Sequence, residues 1–461
     1  MGHGYGGDVR ISRRGEQILS DIARTGSLVV RKLSGDRAGE IATHRFLSSP
    51  SVTPEAILAD LAGRTARACA GRRIVAAQDT TEINFSGADR GRRGLGLAGD
   101  GKSLGFFIHP VVAIDAQDEA VLGIVGARIW TRGMAKVEDR RGRPLEEKES
   151  QCWLDGVATA AALLGEAASV VVVGDRESDI YEVFAGQFAG QFAGQASSAD
   201  ARGVELIVRA RADRRLAGGG MLYETGAGFA RAGEMAVKVA PKGPGDRGRL
   251  ARVAVSFGRV ALARPGTVRA ARAPKQVALN LVVAREIDAP ASKTPLLWRL
   301  LTTMDAATPQ DAIEAIRLYR LRWRIEEVFR VLKRDGLALE KTQVESAPRL
   351  FNLAAMAIGA AARIIQLTDA RDASTRPASD VIDAHLITPA TAIGATLEGN
   401  TRRQKNPHPP GSLSWLAWIT ARLGGWNCYY KPPGPKTMAA GWRRLADMLG
   451  GYTIAQGKSH V

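Results

Sequence analysis

Tyr319, Arg322, Glu326 and Lys333 lie on one short segment, Leu318–Arg334, with the sequence LYRLRWRIEEVFRVLKR. On a continuous α-helix turning about 100° per residue, these four and Arg330 fall within an arc of about 80°. Leu318, Leu321, Ile325, Val328, Phe329 and Leu332 occupy most of the remainder. The expected helix has core on one face and, on the other, one carboxylate among a phenol and cations. Such a group can bind a divalent ion beside a phosphodiester backbone. A surface helix braced by pairs such as Arg322 with Glu326 is a competing reading of the same spacing.

Two further carboxylates stand where chemistry can be held rigidly. Asp79 follows the short apolar run IVAAQ, and Asp175 follows SVVVVG. A carboxylate at the end of a buried strand sits at the rim of a sheet, where α/β folds build their sites. With Glu326 there are three, enough to hold two divalent ions about 4 Å apart for phosphoryl transfer. Strand-end aspartates also serve as helix caps and turn formers. Cys69, Cys152 and Cys428 are far apart, and the histidines (His3, His44, His109, His385, His408, His460) are scattered. Neither a disulfide framework nor a zinc site is expected. Any metal must be bound through carboxylate oxygen, which points to Mg²⁺ or Mn²⁺.

The composition narrows the partner. The chain has 461 residues, 45% hydrophobic, with a formal net charge of +17. That excess of Lys and Arg favours a polyanion through counterion release, so nucleic acid is the expected partner. The most apolar stretch, Leu350–Leu367, carries Asn352 and Arg363 and reads as a buried helix rather than a membrane span. The first residues lack the apolar core of a signal peptide, so the expected location is cytoplasmic, with no membrane partner.

These residues need elements to position them. Residues 1–70 read as short amphipathic helices: Glu16–Arg24, a piece near Arg37–Leu47, and Pro54–Cys69. Arg10, Arg13, Arg14, Arg31 and Lys32 suggest a DNA-binding unit there, or a solvated face. From Arg72 the period shortens: strands are expected at Ile74–Gln78, Phe106–Ile114, Ala120–Trp130, Ser169–Val173 and Val204–Arg209. Helices are expected over about Glu146–Leu164 and after Ser178. Three strands followed by helix, strand, helix and strand suit an α/β mixed sheet covered by helices. Residues 215–302 read as a β-rich insertion, with strands at Arg252–Phe257, Gln276–Arg285 and Leu296–Thr302 and a basic loop at Lys242–Leu250. Helices resume at Pro309, and a boundary is expected near Arg371–Pro377. Lys436–Leu449 forms a last amphipathic helix with Trp442, Leu445, Met448 and Leu449, whose apolar face suits an interface with a second copy or its own domain. The triple FAGQ repeat at 184–195 and the glycine-rich 86–105 carry no assigned role.

Around Asp79 stands QDTTEINF, around Asp175 GDRESDIYEVF, and from Tyr319 to Lys333 the pattern Y-(2)-R-(3)-E-(6)-K. This series resembles the DDE transposases of the bacterial IS-four family. HRFLSSPSVTPEAI (44–57), EEKESQCWL (146–154), LLWRLLTT (296–303) and GSLSWLAWITARLGG (411–425) extend the resemblance over nearly the whole chain. The resemblance implies a ribonuclease H-like mixed sheet with helices on both faces as the catalytic core (71–372, insertion at about 215–302). It also implies a helical end-binding domain (1–70) and a mainly helical dimerisation domain (373–461). Asp79, Asp175 and Glu326 would hold two Mg²⁺ or Mn²⁺ ions. Tyr319, Arg322 and Lys333 would grip phosphates, with Arg330 and Arg209 assisting. Trp298 would stack on a base turned out of the duplex, or else serve as a core aromatic. Glu327, Glu177 and Asp179 are the neighbours expected to be bystanders.

The implied reaction is cut-and-paste transposition by a homodimer on double-stranded DNA. Nicking at inverted-repeat ends, hairpin formation, hairpin opening and joining to target DNA are all in-line phosphoryl transfers. Family members begin with an extra helix where this chain has only MGHGY, so altered end recognition, or a shortened form that dimerises without cutting, is also expected. A non-catalytic DNA-binding regulator is the alternative function. An acid–base pair of a glycosidase at Asp79 and Asp175 fits poorly with the basic charge.

Overall fold

Short runs of β-branched residues bounded by polar turns set the strands of this protein. The structure is a computed structural model and describes residues 8–85, 91–133, 148–186, 203–239, 248–268, 273–335, 337–372, 374 and 376–455. Its strands are β1 (Arg73–Gln78), β2 (Thr81–Phe85), β3 (Gly96–Leu97), β4 (Leu104–Asp115), β5 (Val121–Trp130) and β6 (Ser169–Gly174). The second half adds β7 (Glu205–Arg209), β8 (Arg231–Val239), β9 (Arg249–Ala263), β10 (Gln276–Glu286) and β11 (Leu297–Thr302). The chain divides into two compact units that interleave in sequence: Met1–Ala70, Thr80–Glu138 and Arg324–Val461 make one, Gly71–Asp79 and Asp139–Trp323 the other.

The second unit is built on a mixed sheet. β1, β6 and β7 run parallel, with Ala77 opposite Val173 and Val173 opposite Ile207. β7 then pairs antiparallel with β11, β11 with β10, β10 with β9 and β9 with β8. β1 and β6 are buried from their second residue onward, as strands covered on both faces must be. β9 instead alternates buried and less buried positions, the period of a strand with one wet face. The expected β-rich stretch is thus a run of antiparallel strands continuing the same sheet; β8 and a short helix at Leu222–Ala227 are additions to the strands expected there.

The first unit holds an antiparallel set in which β4 pairs with β2, β3 and β5. A 24-residue helix, Ala347–Ala370, runs through it. Phe351 meets Phe106 at 5.3 Å between ring centroids, and the buried Asn352 amide donates to the carbonyls of Leu47 and Val52. The most apolar 18-residue window of this helix is 83% buried, so its hydrophobicity is core packing. The terminal helix, Pro435–Ala455, packs with Val9–Thr25, and Arg443 donates to the Thr25 carbonyl.

Two expectations are corrected here. Trp442, Leu445 and Leu449 are only 5%, 0% and 5% exposed, so the chain itself covers these three, while Met448 stays 44% exposed. The segment from Leu318 to Arg334 is also not one continuous α-helix. A helix at Pro309–Arg320 passes into a 3-10 turn at Leu321–Trp323, an α-helical stretch at Arg324–Arg330 and a π-helical turn at Val331–Asp335. Hydrogen bonds span three residues in the 3-10 turn and five in the π-helical turn, so a uniform 100° step cannot place the side chains on one arc. The apolar half of the expectation holds: Leu318, Leu321, Ile325, Val328, Phe329 and Leu332 are all buried. The glycine-rich 86–90, residues 134–147, most of the FAGQ repeat, most of the basic loop before Leu250 and parts of 371–377 lie outside the described residues.

Candidate active site at the parallel strand ends

Asp79 and Asp175 each stand two positions beyond the last registered pair of β1 and β6, Ala77 with Val173. The same offset on neighbouring parallel strands, about 4.8 Å apart, brings both carboxylates to one rim of the second unit's sheet. Asp175 caps the 3-10 turn Arg176–Ser178, accepting the Glu177 N–H at 2.7 Å. Ser178 donates its hydroxyl to the Asp175 carbonyl. Gly174 permits this: a Cβ there would stand 2.2 Å from the Ser178 hydroxyl oxygen.

Asp79 is held from the other side. Arg322 donates from Nη1 to its Oδ2 at 2.6 Å, with the two side chains only 13% and 14% exposed. Arg322 reaches this position from the turn that follows the helix Pro309–Arg320. That helix has a firm start: Thr308 and Asp311 cap each other, and Pro309 fills the first position.

Tyr319 lies one turn before Arg322 and is 4% exposed. Burial raises its phenol above the ordinary tyrosine range; Arg322 and Arg209 pull it back down, and the Asp175 carboxylate pushes it up. Arg209, on β7, donates to the Leu297 carbonyl; desolvation lowers its pKa, and the nearby Tyr319 raises it. Trp298, on β11, meets Tyr319 edge to face, 5.3 Å between centroids at 72°. The second unit therefore gathers Asp79, Asp175, Arg209, Trp298, Tyr319 and Arg322. Trp298 is half-buried, so part of the indole stays open to solvent.

The remaining expected residues belong to the first unit. Glu326 is half-buried on Arg324–Arg330, Arg330 is exposed at its end, and Lys333 lies in the π-helical turn. Arg10, Arg13 and Arg14 are exposed on the helix Val9–Thr25, which starts on the Asp8 cap. The three bystanders divide by environment. Glu327 pairs with Arg324, which also pairs with Asp369. Asp179 is fully buried and accepts from Arg211 N–H, Ala212 N–H and Arg214 Nε, which brace the loop after β7. Glu177 is exposed.

Hard oxygen donors paired at a strand rim suit Mg²⁺ or Mn²⁺ by their chemistry. The guanidinium on Asp79 shows that this carboxylate already draws a cation. No cluster of three metal-ligating side chains is present among the described residues. Sequence reasoning missed the Arg322–Asp79 pair and the Asp179 brace, because both join positions that no local pattern relates. Residues 195–363 match the family model described as a transposase DDE domain. The match contains Arg209, Trp298, Tyr319, Arg322, Glu326, Arg330 and Lys333, while Asp79 and Asp175 precede it. That match, which covers less than half of the chain, supports a DDE transposase.

Proposed function

We propose that this chain is a cut-and-paste transposase of the IS-four type, akin to that of the composite transposon Tn-five, on a ribonuclease H-like core. Asp79, Asp175 and Glu326 hold two Mg²⁺ or Mn²⁺ ions. Such ions supply charge neutralisation and activation of water or a 3′-hydroxyl for in-line phosphoryl transfer. The protein's own groups do the rest. Arg322 and Tyr319 orient the scissile phosphate, since a guanidinium fork matches phosphate oxygens bidentately. Arg209 keeps positive charge behind the tyrosine. Trp298 offers a platform for a base that leaves the stack when a hairpin closes. Lys333 and Arg330 hold backbone beyond the scissile bond, and Arg10, Arg13 and Arg14 serve the end-binding domain, residues 1–70. The active form is a homodimer on two DNA ends.

The carrying observation is that Asp79 and Asp175 share a strand rim with Arg322, Tyr319, Arg209 and Trp298. The net charge of +17 supports a DNA partner. The test is cleavage of DNA carrying the inverted repeats that flank the gene. With Mg²⁺, nicked, hairpin and blunt products should appear in turn on denaturing gels. Specific binding without any cleavage would instead make the chain a regulator.

A further inference from the structure

The cation on Asp79 has a consequence for the order of assembly. The Arg322–Asp79 pair is 2.6 Å long and largely shielded from water, so it is not the weak, screened kind found on surfaces. Its accepting oxygen, Oδ2, belongs to a carboxylate assigned above to a metal ion. An arginine cannot yield such a place by losing its proton; it must move. Arg322 sits on a 3-10 turn between two helical stretches, one turn after Tyr319, whose phenol pKa its charge pulls down.

We propose that Arg322 is a gate on the metal site: in the DNA-free protein its guanidinium stands in for the divalent cation on Asp79, and a DNA phosphate draws it away, so that metal binds strongly only once DNA is seated. This rests on the proposed function and deepens it. The two charges compete for one carboxylate, so metal affinity is held down while Arg322 remains. A phosphate can take the guanidinium bidentately and so frees Asp79. By linkage the effect is reciprocal: DNA strengthens metal binding by the same factor as metal strengthens DNA binding.

The test follows free Mn²⁺ by electron paramagnetic resonance during titration of the full chain, with and without a duplex of the element's terminal repeat. DNA should tighten Mn²⁺ binding by roughly tenfold or more in the wild type, within the usual range of site coupling. Arg322→Gln should bind Mn²⁺ about tenfold more tightly than wild type without DNA and show little further gain when DNA is added. Asp79→Asn should weaken Mn²⁺ binding in both backgrounds. The wild-type titration alone keeps the idea exposed if Arg322→Gln does not fold: no tightening by DNA overturns the gate. An Arg322→Gln affinity equal to or weaker than wild type, with Asp79→Asn still damaging, also overturns the gate and leaves the metal site standing. If Asp79→Asn changes nothing, the metal reading itself fails.

Discussion

Glu326 and Glu327 are adjacent in sequence and differ in what surrounds them. Glu327 is engaged by Arg324, whereas Glu326 has no ion pair among the described residues. Glu326→Ala should abolish cleavage and leave end binding nearly intact, because phosphate contacts dominate affinity. Glu327→Ala should cut almost normally and lose only a little stability, since Arg324 keeps Asp369. Cleavage and mobility-shift assays on the two variants check this; a dead Glu327→Ala beside an active Glu326→Ala would reverse the assignment. Trp298 gives a second prediction. Stacking on an aromatic is worth roughly 1–3 kcal/mol per base, so Trp298→Ala should slow hairpin closure by about ten- to a hundredfold while sparing the first nick. Gels resolving nick from hairpin decide it: equal loss of both steps would make Trp298 a packing partner of Tyr319 only. At this scale the strand-end aspartates were legible, because an apolar run ending in Asp is a local pattern. The guanidinium on Asp79 was not, since 243 positions separate the partners.

Among the elements, the buried strands could be read from sequence because β-branched runs bounded by turns have few alternatives. The signature segment misled because its polar and apolar residues fit a uniform helix, while packing imposes a 3-10 turn and a π-helical turn. β4 shows how an element can carry a titration. His109 lies within it, buried, with Nδ1 2.8 Å from the Thr80 hydroxyl and Arg128 opposite on β5. Desolvation, and then the Arg128 charge, lower its pKa from 6.5 to about 3. The folded-state pKa is depressed, so the unfolded chain binds the extra proton first. Stability is whole above about pH 6.5, falls as pH drops below it, and levels off near pH 3. From pH 7 to pH 5 this one group should cost about 2 kcal/mol. Denaturant titrations at the two pH values should show that loss in the wild type and a clearly smaller one in His109→Gln; an equal loss in both would contradict the burial argument.

For the whole molecule, the interleaving of the two units was the least legible feature. Residues 1–70 and 324–461 share one unit because helices near the two ends pack together, a choice made by long-range burial that no local periodicity encodes. The amphipathic pattern of the last helix was visible, but not which surface covers it. Since Trp442 is buried inside the chain, Trp442→Ala should cost about 3–5 kcal/mol, seen as a lower melting temperature at any protein concentration. A loss that appeared only through weaker dimerisation would restore the interface reading. The proposed function requires Asp79, Asp175 and Glu326 to hold the same divalent ions. Replacing Mg²⁺ with Fe²⁺ and adding ascorbate and peroxide cuts a polypeptide next to bound iron, and mass spectrometry then maps the breaks. The account predicts breaks beside residues 79, 175 and 326 together, suppressed by excess Mg²⁺ and lost in Asp175→Asn; breaks elsewhere, or at 79 and 175 without 326, would contradict it.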